Sequence, residues 1–227
     1  MRYKIIFVGL LTTCFTTISL QAAEKALHIL AIGDSTTAGT PAFRSPAEAP
    51  PNGAGNIKSQ YAYWMLQRHP EWTVANRGVN GQRSDQILSR LERELDATKP
   101  DTVIILAGVN DVYQGVPLDE TKANLLKMYE MVLGRGCRLA ACSVLPYNVA
   151  SEAEAENILE LNRWVFDFCQ RKGALFCDTC KAVSEPTAFR IKDSPDGLHP
   201  SVEGYRHMGE AITGVLETDT HIKRSSS

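Results

Sequence analysis

Gly33-Asp34-Ser35 closes an apolar run, Leu27 to Ile32, with a serine hydroxyl. Far along the chain, Asp196-Gly197-Leu198-His199-Pro200 places a carboxylate three residues before an imidazole. A serine hydroxyl is a weak nucleophile at neutral pH and needs an adjacent base. A histidine can take that proton and return it to a leaving alkoxide, and an aspartate bonded to the far ring nitrogen fixes the tautomer and stabilises the cation. Ser35, His199 and Asp196 are therefore candidates for nucleophile, base and orienting acid. The tetrahedral oxyanion that follows needs preorganised donors. The backbone N–H groups of Ser35 and Gly81 and the side-chain amide of Asn110 are the candidates. Asp34 reads as a helix-start cap and Asp111 as a residue that orients a loop.

These residues fall where a parallel sheet would gather them. Leu27–Ile32 is short and aliphatic, as buried parallel strands are, and glycine followed by Asp and Ser marks a tight turn into a helix. Trp72–Ala75 predicts a second strand, running into the Asn76–Gly81 turn, and Thr102–Ala107 a third, ending at Gly108-Val109-Asn110-Asp111. Cys137–Leu145 and Ala174–Cys177 predict a fourth and fifth. Between them, apolar spacing predicts helices over Ile57–Arg68, around Ile87–Leu95, over Asp119–Leu133, Ser151–Arg171 and Ser201–Leu216. Alternating strands and helices imply a parallel sheet with helices on both faces. The active edge of such a sheet is at the strands' carboxyl ends, so Ser35, Gly81 and Asn110 share one rim. The proline-rich stretch Thr40–Asn56, directly after the serine, is a long loop expected to wall any pocket there.

The motif set resembles the SGNH or GDSL hydrolases. Gly33-Asp34-Ser35 is similar to the block carrying their nucleophile, Asn76-x-Gly78-x-x-Gly81 and Gly108-x-Asn110-Asp111 to the blocks that supply oxyanion donors, and Asp196-x-x-His199-Pro200 to the block with acid and base. Thr36 stands where the family has leucine, and Val109 where it has a second glycine. Both departures leave every chemical position filled. The resemblance spans about Leu27 to Leu216 and implies a three-layer α/β/α, flavodoxin-like fold with five parallel strands in the order 2-1-3-4-5. It implies ester or thioester hydrolysis with no cofactor and no metal.

The chain has 227 residues, a net charge of -2, and 22% charged residues without a basic stripe. That composition gives no drive towards nucleic acid. Residues 1–23 read as a signal peptide: Arg2 and Lys4, an apolar stretch from Ile5 to Leu20, then Ala22 and Ala23. Residues 24–227 would then form one domain, exported to the periplasm or secreted, with no stable membrane insertion after cleavage. Five cysteines follow that segment: Cys137, Cys142, Cys169, Cys177 and Cys180. Export permits disulfides. Their pairing stays open, with Cys137–Cys169 one candidate, as does the oligomeric state. Cys177-x-x-Cys180 lacks the second ligand pair or thioredoxin-like context that zinc or redox chemistry needs.

The expected activity is an ester hydrolase acting on a small-molecule or carbohydrate ester. The Thr40–Asn56 loop mixes Arg44, Glu48 and Asn52 with prolines, and Phe43 is its one large apolar side chain. That favours a short acyl group, acetyl above all, on a carbohydrate. The alternatives are a lysophospholipase or thioesterase for longer chains, an acyltransferase on the same fold, a thiol protein built on the CxxC, and a non-catalytic binding module.

Overall fold

The computed structural model describes residues 26–225, so the expected signal peptide lies outside the described residues. Five strands form one parallel sheet: β1 (His28–Gly33), β2 (Thr73–Gly78), β3 (Thr102–Leu106), β4 (Arg138–Cys142) and β5 (Leu175–Cys177). Their spatial order is 2-1-3-4-5, all parallel, as the family resemblance implied.

The helices are α1 (Ser35–Ala38), α2 (Tyr61–Arg68), α3 (Ser84–Thr98), α4 (Val109–Tyr113), α5 (Leu118–Gly134), α6 (Glu152–Lys172), α7 (Thr179–Val183) and α8 (Val202–Ser225). Successive strand side chains point to opposite faces, and the core divides accordingly. Leu30, Ile32, Val103 and Ile105 pack with Ile87 and Leu91 of α3, Leu125 and Met128 of α5, and Leu161 and Val165 of α6. Ile29, Ala31, Ile104 and Ala140 face the other way, onto Tyr61 and Met65 of α2 and Tyr205, Met208 and Ile212 of α8. β1 and β3 are buried on both faces, which is why they read as continuous apolar runs.

Several boundaries differ from the sequence expectation, each for a local reason. The helix expected over Ile57–Arg68 is a 3-10 turn, Ile57–Ser59, then α2. Gln60 between them is extended, because its buried side chain accepts from Asn76 Nδ2 at 2.8 Å. β2 continues through Asn76-Arg77-Gly78, since these residues pair with Ala31-Ile32-Gly33. β4 stops at Cys142, and Val144 beyond it is held at both backbone groups by the side chain of Asn162. α8 runs past Leu216 to Ser225, with no glycine or proline between to stop it. α6 begins as expected, capped by the Ser151–Glu154 pair, and ends at left-handed Gly173.

The five cysteines among the described residues are free thiols. The Cys137–Cys169 pairing is not made: the Cys137 thiol donates to the Pro100 carbonyl, and that of Cys169 to the Leu175 carbonyl.

Candidate active site

The sheet brings three turns to one level. Gly33 is in register with both Gly78 and Leu106, the ends of β2 and β3. Ser35, Gly81 and Asn110 lie two, three and four residues beyond these strand ends. Tight approach makes this possible. A Cβ on Gly33 would sit 2.3 Å from the Leu106 carbonyl oxygen, and one on Gly78 2.0 Å from Ala38 N. Glycine at these two positions is a matter of space, and it lets α1, with Ser35 at its start, lie directly against β2.

His199 reaches this rim from the loop before α8. The Ser35 hydroxyl and His199 Nε2 are 2.9 Å apart, and His199 Nδ1 is 2.7 Å from Asp196 Oδ2. An ionised carboxylate only accepts, so the neutral ring that satisfies both bonds carries its proton on Nδ1 and accepts from serine at Nε2. Asp196 Oδ1 takes the backbone N–H groups of Leu198 and His199 at 2.9 and 2.8 Å. One aspartate thus folds the turn with one oxygen and holds the ring with the other. Burial works against its charge, but these bonds from His199 and Leu198 outweigh it and hold the Asp196 carboxyl below its ordinary range. The loop is pinned from outside, where Asn148 N–H donates to the Gly197 carbonyl at 2.7 Å and Ser194 Oγ to the His199 carbonyl at 2.7 Å.

The turns carrying Gly81 and Asn110 are tied together. Asn110 Nδ2 donates to the Gln82 carbonyl at 3.0 Å; an amide has two N–H donors, so the other can serve an oxyanion. Asp111 accepts from Ser84 N at 2.9 Å and Ser84 Oγ at 2.5 Å, joining α4 to the start of α3. The loop-orienting role expected of Asp111 is thus visible as bonds. Asp34 caps α1, accepting from Thr36 N at 2.9 Å. Its second oxygen is buried with no partner among the described residues, and burial, with the Asp111 charge adding, pushes its pKa up to about 7.

The Thr40–Asn56 loop is docked beside Gly81. Ser45 Oγ donates to the Gly78 carbonyl at 2.6 Å, Glu48 Oε1 accepts from Asn80 N at 2.9 Å, and Thr40 Oγ1 donates to Asn80 Oδ1 at 2.5 Å. Phe43 is buried against Gly53 within the loop's own short hairpin, Phe43–Arg44 with Ala54–Gly55. Tyr113, one turn after Asn110, exposes 56% of its surface while leaning edge-on against buried Tyr147.

Hydrogen bonds join Ser35, His199 and Asp196, and the turns carrying Gly81 and Asn110 follow strands that end level with Gly33 at the same edge of the sheet. Gln82, Ser84 and Arg90, which brace them, carry no motif signal in the sequence. The CxxC thiols are buried, and Cys180 is pushed up to about 11 by that burial, which leaves little thiolate for redox chemistry.

This geometry has relatives. The model of the GDSL-like Lipase/Acylhydrolase family matches residues 31–207. The chain belongs to that family. It is a carboxylic ester hydrolase. It is 29% identical over 216 residues to an acetylxylan esterase of Geobacillus stearothermophilus, covering 85% of this chain and 94% of that protein. Among solved structures, a catalytic mutant of Axe2, an acetylxylan esterase from the same organism, superposes with a TM-score of 0.69 at 24% identity, covering 83% of this chain and 93% of that one. A GDSL-like lipase from Bacteroides thetaiotaomicron gives 0.65 at 21% identity, covering 84% and 88%. These two likenesses show that the esterase has the same fold.

Proposed function

We propose that this esterase is an exported serine hydrolase that removes short acyl groups, acetyl above all, from a carbohydrate ester. The observation that carries the reading is the unbroken chain from Ser35 Oγ through the His199 ring to Asp196, at 2.9 and 2.7 Å. In the proposed mechanism Ser35 Oγ attacks the ester carbonyl as His199 Nε2 takes its proton. Asp196 holds the resulting imidazolium. The Ser35 and Gly81 N–H groups and the Asn110 amide receive the oxyanion. Collapse of the intermediate expels the alkoxide, which takes the proton from Nε2, and leaves an acyl-serine. A water then repeats the sequence, releasing the acid and restoring Ser35.

Three observations support the substrate class. The acetylxylan esterase relative aligns along most of both chains. The loop beside Gly81 turns its one large apolar side chain, Phe43, into its own hairpin and presents polar groups to the Asn80 turn. Tyr113 offers an exposed aromatic ring beside the Asn110 donor, a surface with an apolar face and a polar tip that suits a sugar ring. Export rests on residues 1–23; among the described residues, no helix is long and apolar enough to cross a membrane.

Ser35→Ala tests the reading. It should abolish turnover of p-nitrophenyl acetate while thermal unfolding and circular dichroism stay those of the parent, and an organophosphonate should label the parent at Ser35 alone. Activity retained in the variant would end it.

A further inference from the structure

Arg90 lies in α3 on the buried face that also carries Ser84, Ile87, Leu91, Glu94 and Leu95, and is only 8% exposed. It makes no ion pair among the described residues. A buried guanidinium without a bonded carboxylate is costly, and burial lowers its pKa from the ordinary arginine value. Both hydrogen bonds it makes go to the candidate site. Nη2 donates to the Gly33 carbonyl at 2.9 Å, and Nε to Gln82 Oε1 at 2.7 Å; Nη1 is buried with no partner among the described residues. Gly33 is two residues before Ser35. Gln82 follows Gly81 directly, and its carbonyl accepts from Asn110 Nδ2 at 3.0 Å. One side chain therefore bonds the Gly33 backbone carbonyl and the Gln82 side-chain amide, two points that lead to all three candidate donors.

We infer that Arg90 is a positioning residue: its planar fork ties the end of β1 to the Gln82 turn and so sets the spacing of the oxyanion donors at Ser35, Gly81 and Asn110. The inference rests on the assignment of those donors above. An oxyanion hole works because its donors are held in place before charge develops. Loosening them raises the barrier while leaving ground-state binding nearly untouched, which appears as a loss in kcat with KM kept. Lysine cannot replace the fork, because an ammonium is a point charge and guanidinium presents several donors in one plane.

The test uses the full chain with p-nitrophenyl acetate, kcat being corrected for folded fraction by near-ultraviolet circular dichroism. Arg90→Met and Arg90→Lys should each lower kcat by about 10–100-fold, below or near the loss of a whole donor, with KM changed by less than about threefold. Gln82→Ala should lower kcat less, and combining it with Arg90→Met should cost less than the product of the two single effects, because both break one bridge. If Arg90→Met does not fold, Arg90→Lys and its combination with Gln82→Ala carry the same comparison. A folded Arg90 variant with kcat within twofold of the parent, a loss explained wholly by unfolding, or effects that simply multiply would overturn the inference. A parent that does not hydrolyse the ester, or does so without Ser35, would instead overturn the assignment beneath it.

Discussion

Asn110 is the proposed oxyanion donor most open to a direct test, because its contribution would be a side chain and not a backbone N–H. Asn110→Ala removes the amide together with its bond to the Gln82 carbonyl, while the bonds from Ser84 to the neighbouring Asp111 remain to hold the turn. The expected loss is about 10²–10³ in kcat. A raised KM with kcat unchanged would make Asn110 a substrate contact instead. Asp34 gives a second prediction at this scale. Folded, it keeps its proton up to about pH 7, against an ordinary value of 3.8. Between those pH values the folded state binds more protons than the unfolded one, so stability must fall as pH rises through that window. Asp34→Asn can still accept from Thr36 N but does not titrate. Urea unfolding at pH 5 and pH 8 should show a smaller stability difference in the variant than in the parent. Equal differences would mean that Asp34 is not the titrating group. The five candidate residues were nameable from the sequence because chemistry restricts which side chains can serve as nucleophile, base, acid and amide donor, and because Gly81 ends a turn that follows a strand. Arg90 and Gln82 were not, because a brace is defined by where its atoms reach, and residue type and spacing do not show that.

The elements place these residues by close backbone contact, and Gly78 is the sharpest case. Its backbone does not need glycine's left-handed freedom; it needs room, since a Cβ would lie 2.0 Å from Ala38 N and 2.5 Å from Ala38 Cα. Those are backbone atoms of α1 and cannot swing aside. Gly78→Ala must therefore push α1, and Ser35 with it, away from the rim. Overpacking of this kind costs about 1–3 kcal/mol, which for a protein of this size lowers Tm by roughly 2–12 °C. Turnover should fall as well, by more than the unfolded fraction explains. A variant with parental kcat would show that the contact is not what fixes Ser35. At this scale the sequence announced the five strands and the long helices, because apolar period and length determine them. It placed the break at Gln60 inside a helix, since Gln60 is an ordinary helix former until Asn76 claims its side chain. It missed α4 and α7, five residues each, as turns too short to show a period.

Taken whole, the molecule holds a small polar rim on a rigid sheet, and that shape argues for a small acyl group. A long acyl chain gains about 0.8 kcal/mol for each CH₂ buried, but only where apolar side chains line its path. The Thr40–Asn56 loop, the wall beside Gly81, spends its contacts on the Gly78 carbonyl and on both backbone and side chain of Asn80. Its phenylalanine is buried and packed against Gly53. An acetyl group asks little of such a wall, and a decanoyl chain would find few partners along it. Across a series of p-nitrophenyl esters, kcat/KM should therefore be greatest for acetyl and fall by octanoyl. Acetylated xylo-oligosaccharides should release acetate at a Ser35-dependent rate. The outcome that reverses this is a kcat/KM climbing steadily from acetyl to decanoyl. Each added CH₂ would then be finding apolar surface, and the enzyme would be acting as a lysophospholipase or thioesterase with its acyl path on the helices, away from this loop.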